Sequence, residues 1–277
     1  MGVQLKYTGV TLPANVGQTF YGDDGGLTDG SLLLLDFSNP LCLPATATNA
    51  GGANNLAAAP LDALVGSANG ITPPATATDF PLTAGRGMYK TSGVSGGIFY
   101  PILRSDAFEA YLRTNMPDVL TTFWVRITPS SVTVKQDGIV YGDASKVPAL
   151  WRLLVEADGT VEVTNQTPIP ASLMSNQNSW LFHIAMSRTE FFVNGQKAGD
   201  LPQQSITRYD EFVAAVGTTT NDVMWVFRGP GQGNVDGAFR IYRMLMEDLD
   251  ASGRTALQAA KAEYDYVIAN ASFVGTV

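Results

Sequence analysis

The most constraining feature of the sequence is an alternating apolar run that leads into a turn of only two residues. Between Trp180 and Met186 every second residue is large and apolar, which places these side chains on one face of a β-strand. A second apolar run at 190–193 is followed by Asn194–Gly195, the preferred pair for a tight type I′ turn. The segment therefore predicts an antiparallel β-hairpin with one buried face.

Similar short runs recur along the chain, separated by turn residues. Asp158–Gly159 lies between two of them and predicts a second hairpin. Many short strands at such spacing are typical of an antiparallel sandwich. Besides the 180–193 region, strands are predicted at 31–37, 97–100, 121–127, 150–155, 160–164, 222–227 and 238–245.

Two segments change to the three- and four-residue spacing of an amphipathic helix. The first runs from Ser105, a good N-cap, to Met116, immediately before Pro117. The second runs from about residue 252 to 269, and Thr255 with Gln258 fits a capping box there. We therefore expect an all-β sandwich with a short internal helix and a C-terminal helix.

Residues 43–85 differ from the rest of the chain in composition. They are rich in Ala, Thr, Gly, Pro and Asn, and their only charges are Asp62 and Asp79. Long segments of this kind are usually functional loops or linkers, and this one is too uncharged for a typical solvated disordered segment. We expect an extended arm that lies against another subunit and orders on assembly. The chain is thus divided into 1–95, a strand plus this arm, and 96–277, the sandwich with its C-terminal helix.

Charge and cysteine content narrow the possible partners. The chain carries 17 Lys and Arg against 25 Asp and Glu, and only 15% of its residues are charged, where roughly 25% is usual. Phosphate binding needs clustered Lys and Arg, and the sequence has no such cluster, so nucleic acid is not expected as a partner.

No leader or membrane-spanning run is apparent, so we expect synthesis in a cytoplasm and no membrane partner. Cys42, between two leucines, is predicted to be a buried thiol.

A family resemblance rests on three stretches. Trp180–Ala185 and Phe192–Gln196 resemble the W-x-H-(hydrophobic)-A strand and the aromatic-V-N-G hairpin of concanavalin A-like and laminin G-like domains. Phe239–Arg243 is similar to the last core strand of that family, and the resemblance covers roughly 98–265. It implies an antiparallel jelly-roll sandwich, here with an extended N-terminal arm and a C-terminal helix.

Such domains occur in bacteriophage particles, so the resemblance also implies a role. The chain would be a virion component assembled in the host cytoplasm, such as a capsid decoration, collar or tail protein. It would act through contacts with other virion proteins and with copies of itself. This step from fold to role is an analogy.

The resembled fold also includes glycosidases, and the nearest carboxylates here are Glu156, Asp158 and Glu162. Glycoside hydrolysis by the retaining route needs two carboxyl groups about 5–5.5 Å apart. A turn at Asp158 would put Glu156 and Glu162 on opposite arms of a hairpin. His183 stands alone in its strand, and both its isolation and the resemblance make it a hydrogen-bonded framework residue. We therefore assign no catalytic residue and expect a protein that is not an enzyme.

The sequence offers candidate residues for two types of ligand, a calcium ion and a glycan. The acidic turn with Asp23 and Asp24 offers too few oxygens for Ca²⁺, which takes roughly six to eight, so a solvated turn is preferred and no metal or cofactor is assigned. For glycan stacking, the four tryptophans lie in or next to predicted strands and are expected in the core; they are Trp124, Trp151, Trp180 and Trp225. The exposed aromatic candidates are Phe20–Tyr21, Tyr141 and Tyr209. Two functions therefore stay open: a particle subunit, or a carbohydrate-binding module for host attachment.

Overall fold

The computed structural model describes residues 24–89, 100–115, 117–127, 136–141, 151–155, 160–163, 167–170, 173, 181–203, 207, 223–226 and 239–275. Within these ranges there are thirteen strands: β1 (Ser31–Asp36), β2 (Ile71–Thr72), β3 (Tyr100–Arg104), β4 (Val119–Ile127), β5 (Gln136–Tyr141), β6 (Trp151–Val155), β7 (Val161–Val163), β8 (Thr167–Pro168), β9 (Leu181–Met186), β10 (Glu190–Val193), β11 (Gln196–Asp200), β12 (Val223–Val226) and β13 (Phe239–Asp248). The helices are α1 (Ala58–Val65), α2 (Asp106–Asn115), α3 (Leu249–Ser252) and α4 (Ala256–Asn270), and a 3-10 turn follows at Ser272–Gly275.

The strands form two antiparallel sheets. The six-stranded sheet has the order β1-β13-β4-β9-β10-β11, and the seven-stranded sheet has the order β2-β3-β12-β5-β6-β7-β8. Residues from both sheets share one apolar core, among them Phe123 and Phe182 from the first and Tyr100 and Val163 from the second. The predicted all-β antiparallel sandwich is therefore confirmed.

The face predicted for the 180–186 run is confirmed where the structure describes it. Phe182, Ile184 and Met186 are buried in the core between the sheets, and Trp180 lies outside the described residues. The strands on either side of the predicted Asp158–Gly159 turn, β6 and β7, pair antiparallel, and the turn itself lies outside the described residues.

The six-stranded sheet is covered on its outer face as well, by α4. Strand β9 is buried along its whole length, because its residues that point away from the core meet the helix instead. Strand β1 is also fully buried, but Leu34 on it packs against Ala57, just before α1. Phe192 and Ala185 pack against Ala256, Ala259 and Ala260 of α4, whose small side chains let the helix approach closely. Within the described residues no helix has the length and apolar character needed to cross a bilayer.

The predicted local signals at turns and helix ends are confirmed. Asn194 and Gly195 both have positive φ, at 51° and 73°, as a type I′ turn requires. Ser105 accepts a hydrogen bond from the backbone of Phe108 at the start of α2. Helix α4 begins with the predicted capping box on Thr255. It starts later than predicted, because Gly253, with φ 67°, ends the separate short helix α3.

Residues 43–85 differ from the predicted extended arm. They include α1 and β2, and the side chains of Ala50, Leu61 and Phe80 are buried in the same core as the sheets. Small alanines and isolated large residues fill the core here without the periodicity of a strand or a long helix. The division of the chain at residue 95 stays a prediction, since 90–99 lie outside the described residues.

Arg86 ties this segment together and to the residue that follows β1. Arg86 has a positive φ of 66°, and its guanidinium donates to the backbone carbonyls of Phe37 at 2.8 Å, Ala47 at 2.7 Å and Pro44 at 3.1 Å. Carbonyls outside regular secondary structure need such partners when they leave water. Arg86 therefore stabilises a segment that has few ladder hydrogen bonds of its own.

Candidate functional site

A buried arginine on β13 organises the outer face of the six-stranded sheet. The register of β13 on β4 shifts between Ile241 and Arg243, which is a β-bulge with one extra residue. As a result Tyr242 and Arg243 both lie on the side of α4, although neighbouring strand residues normally alternate. Tyr242 stacks on Phe273 with ring centroids 5.1 Å apart, and Arg243 is only 1% exposed.

Arg243 meets three carboxylates. Its Nε and Nη2 donate to the two oxygens of Glu263 on α4, at 2.7 and 3.1 Å. Its Nη2 also donates to Asp24 at 3.0 Å, and its Nη1 donates to Asp36 at the end of β1, at 3.1 Å. These four residues are called the Arg243 cluster below. Three carboxylates around one guanidinium leave two formal negative charges in excess.

The electrostatics of the cluster keep the arginine charged. Burial acts to lower the pKa of Arg243, but the charge of Glu263 and the hydrogen bonds to Asp24 and Glu263 outweigh it, so the pKa is raised. Opposite charges and hydrogen bonds at this distance favour the charged form. The two bonds to Glu263 have the bidentate geometry that suits a guanidinium.

A cleft of about 440 Å³ opens beside the cluster. One wall is the turn at 38–41 that follows β1, and the other is formed by Tyr266 and residues 270–272 at the end of α4. The buried side chains of Asp24 and Asp36 lie at its base. This space is called the polar cleft below, and its volume is within the range of about 300–1,000 Å³ typical of small-ligand sites.

Local hydrogen bonds fix the first wall. Asp36 Oδ1 accepts from the backbone and the hydroxyl of Ser38, at 2.9 and 2.5 Å. Asn39 Oδ1 accepts from the backbone of Leu41 at 2.9 Å. Both are side-chain-to-backbone turns of the kind that Asp and Asn favour. Because Asn39 uses its oxygen in this way, the amide nitrogen is the half that can donate to a ligand.

The second wall is fixed in the same way at the end of α4. Asn270 Nδ2 donates to the carbonyl of Tyr266 at 2.7 Å, so the amide oxygen is the half that can accept from a ligand. The Tyr266 hydroxyl accepts from the backbone of Gly25 at 3.2 Å, and its ring centroid lies 5.4 Å from Cζ of Arg243. Burial, followed by the charge of Asp24, raises the pKa of the Tyr266 hydroxyl.

His183, the only histidine of the chain, lies on the same outer face as Arg243 but does not line the cleft. Its ring sits 5.3 Å from Trp124 and 5.9 Å from Tyr264, measured between centroids. Burial, with a smaller contribution from Arg243, lowers the pKa of His183 to about 3. The sequence predicts a hydrogen-bonded framework residue, and the hydrogen-bonded part of that prediction is wrong. Within the described residues its ring nitrogens have no hydrogen-bonding partner, so the buried ring is held by ring contacts.

Two more predicted residues can be located directly. Asp24 is buried in an ion pair with Arg243, so the solvated turn predicted for it is wrong; Asp23 lies outside the described residues. Cys42 is buried, as predicted, and burial raises the pKa of its thiol to about 12. Among the described residues no group of His, Cys, Asp and Glu is arranged to hold a metal ion.

None of the remaining candidates that the structure describes lines the polar cleft. Trp124 is buried against α4 as predicted. Glu162 lies on β7, and Trp151, Tyr141 and Trp225 lie on β6, β5 and β12, with side chains outside the description. The other candidates fall outside the described residues: Phe20, Tyr21, Glu156, Asp158, Trp180 and Tyr209.

Sequence reasoning missed the cleft and its cluster. One signal was present: Arg243 is a charged residue inside the otherwise apolar run from Ile241 to Met246, where a lone charge needs a buried partner. A second was Asp36, which ends an apolar strand and is followed two residues later by Ser38. Neither signal identifies the partners, which lie far away in sequence.

Comparison with known proteins shows the fold class. No family model matches this chain, and no curated protein matches it in sequence. A Trypanosoma rangeli sialidase superposes with a TM-score of 0.50 at 14% identity, over 86% of this chain and 33% of that one. A point mutant of HCR/D superposes with a TM-score of 0.51 at 11% identity, over 86% of this chain and 51% of that one. This chain thus spans between a third and about half of the structures it resembles.

At these identities the likeness shows the fold alone, an antiparallel β-sandwich. A further match, the botulinum neurotoxin serotype D binding domain, covers 86% of this chain at 10% identity with a TM-score of 0.47, too weak a likeness to argue from.

Proposed function

We propose that this chain is a non-enzymatic binding module that holds a glycan in the polar cleft, within a jelly-roll sandwich of the concanavalin A and laminin G kind. The observation that carries the proposal is the composition of the cleft. Carboxylate oxygens of Asp24 and Asp36, an amide donor on Asn39, an amide acceptor on Asn270 and the ring of Tyr266 converge on one space. Sugar hydroxyls both donate and accept, so a set of fixed donors and acceptors matches them.

The same geometry favours binding over hydrolysis. A glycosidase needs one carboxyl group that carries a proton for the leaving group. Asp24 and Asp36 both accept hydrogen bonds from Arg243 and are committed to ion pairs with it. This engagement with the arginine favours a binding role for both carboxylates over that of a proton donor.

Likeness of fold adds limited support. One structure with this fold is a sialidase, a name that denotes an enzyme of sialylated glycans. By analogy of fold alone this supports a sugar as the ligand.

The test is a glycan array with the purified chain, with and without Ca²⁺, followed by calorimetric titration of the sugars that bind. Asn270→Ala removes the acceptor from the cleft and is expected to weaken binding at least about tenfold, the effect of losing roughly 1.4 kcal/mol. Asn115→Ala is the matched control: Asn115 also ends a helix and donates to the carbonyl of the tyrosine four residues earlier, Tyr111, at 3.0 Å. It is expected to leave binding unchanged.

Two results would contradict the proposal. The first is an array on which no glycan binds, with or without Ca²⁺. The second is a measured affinity that Asn270→Ala and Asn115→Ala affect equally, since the sugar would then lie elsewhere.

The second candidate is a structural subunit of a bacteriophage particle, such as a capsid decoration, collar or tail protein, located in the virion and in contact with other virion proteins and with itself. It is favoured by the low charge content and by large apolar side chains that stay exposed in the described residues; these are Leu41, Leu103, Leu257 and Ile268, each 45–52% exposed. Light scattering of the purified chain and microscopy of intact particles test it. A strict monomer that is absent from particles would remove this candidate.

A further inference from the structure

We infer that the Arg243 cluster makes the polar cleft selective for sugars that carry no negative charge. This inference deepens the proposed function and rests on it. The cluster would act as a specificity-determining element beneath the ligand, through the sign of its charge.

The first step is the charge itself. The side chains of Arg243, Asp24, Asp36 and Glu263 are 1%, 2%, 9% and 1% exposed. Water and salt screen buried charges much less than surface charges. The two excess negative charges are therefore screened less than surface charges, while the open mouth of the cleft still lets salt weaken their effect on a group that enters it.

The second step is that no cation among the described lining residues offsets the two excess negative charges. These residues include two carboxylates but neither Lys nor Arg, and Arg243 beneath them is already matched by the bidentate bond to Glu263. A ligand carboxylate in this space would meet like charge at short range, which is strongly unfavourable at the low effective dielectric of a buried site.

The third step is what the base of the cleft offers a neutral sugar. Asp36 Oδ2 accepts a single bond of 3.1 Å from Arg243, and a carboxylate oxygen can accept two. A sugar hydroxyl can supply the second donor, whereas the carboxylate of a uronic or sialic acid cannot. The same carboxylate that repels an anionic ligand can thus accept a hydrogen bond from a sugar hydroxyl.

The experiment compares sugars that differ only in this charge. Glucose, galactose and mannose are each titrated against the full chain beside the matching uronic acid, in which a carboxylate replaces the C6 hydroxymethyl group, and saturation-transfer NMR gives the affinities. In at least one pair the neutral sugar is expected to bind about tenfold more tightly or better at low ionic strength. The ratio is expected to fall as salt is added.

A variant at Glu263 distinguishes the effect of the cluster's charge from the effect of direct contacts between the lining residues and the sugar. Glu263→Gln halves the excess charge and leaves every residue that lines the cleft in place, so it is expected to reduce the ratio while the neutral sugar still binds. The salt titration of the unaltered chain gives the same information if the variant does not fold.

Equal or tighter binding of the uronic acids overturns the inference and leaves glycan binding intact. A ratio of neutral-sugar to uronic-acid affinity that does not change with salt does the same. If neither member of any pair binds, the proposed function falls and the inference falls with it.

Discussion

Arg243 connects segments that are distant along the chain. Asp24 is separated from it by 219 positions and Asp36 by 207, and Glu263 lies on the helix that covers the sheet. Removing one partner of a buried ion pair leaves uncompensated charge in the interior, which is much more costly than losing an exposed pair. We therefore regard this residue as the main electrostatic link between the sheet, α4 and the segment that begins at residue 24.

Replacing Arg243 tests this directly. Arg243→Met retains most of the side-chain volume but leaves three carboxylates without their cation, and we expect it to lower the free energy of unfolding by roughly 3–5 kcal/mol. Urea denaturation followed by circular dichroism measures the change. Lys261→Met, which removes an exposed ion pair with Asp265, serves as the control and is expected to have little effect. Equal stability of the two variants would show that the cluster contributes nothing.

His183 predicts a pH dependence. Its pKa is about 3 in the folded chain and about 6.5 when unfolded, so between these values the unfolded chain binds a proton that the folded chain does not. The free energy of unfolding should therefore fall as the pH is lowered from about 6.5 towards 3, by up to about 1.4 kcal/mol per pH unit from this group. Urea midpoints at several pH values measure the slope. His183→Leu should flatten it; an unchanged slope would show that His183 is not buried in its neutral form.

The elements with local signals could be predicted from the sequence, because each is determined within a few residues. The type I′ turn follows from Asn194–Gly195, and the start of α4 follows from Thr255 and Gln258. The packing of α4 on the sheet could not be predicted in this way. Helix α4 buries the outer face of the strands, whereas the alternation from Trp180 to Met186 indicates only the face that points between the two sheets.

The contact between the hairpin and α4 can be tested at Gly195. A methyl group there would lie 3.0 Å from Cβ of Tyr264, whereas one at Gly52, with the same φ of 73°, would meet nothing within 4 Å. Alanine at either position bears similar backbone strain, roughly 1–2 kcal/mol. We expect Gly195→Ala to be the more destabilising, because α4 must also shift. Thermal unfolding compares the two, and equal losses would show that the turn does not pack against the helix.

At the scale of the whole molecule, the sandwich could be predicted but the cleft could not. Its walls come from a turn near the start of the described chain and from the end of α4, which meet only when β1 pairs with β13 and α4 lies across the sheet. The bulge at Tyr242 and Arg243 also has no sequence signature. Residues 43–85 escaped prediction for a related reason, since their burial depends on tertiary contacts and on Arg86.

The fold and the cleft together give the molecule one distinctive surface. An antiparallel β-sandwich carries a helix on its outer face, and the end of that helix and the turn after β1 enclose a space whose base is negatively charged. We therefore expect the ligand at the edge of the six-stranded sheet, beside its outer face, and away from the seven-stranded sheet.

The most direct test is a crystal structure of the chain soaked with the neutral sugar that binds most tightly. We expect sugar density in the polar cleft, with hydroxyl groups within hydrogen-bonding distance of Asp36 and Asn270 and the sugar ring beside Tyr266. A sugar bound at another surface, with this cleft occupied only by water, would contradict it.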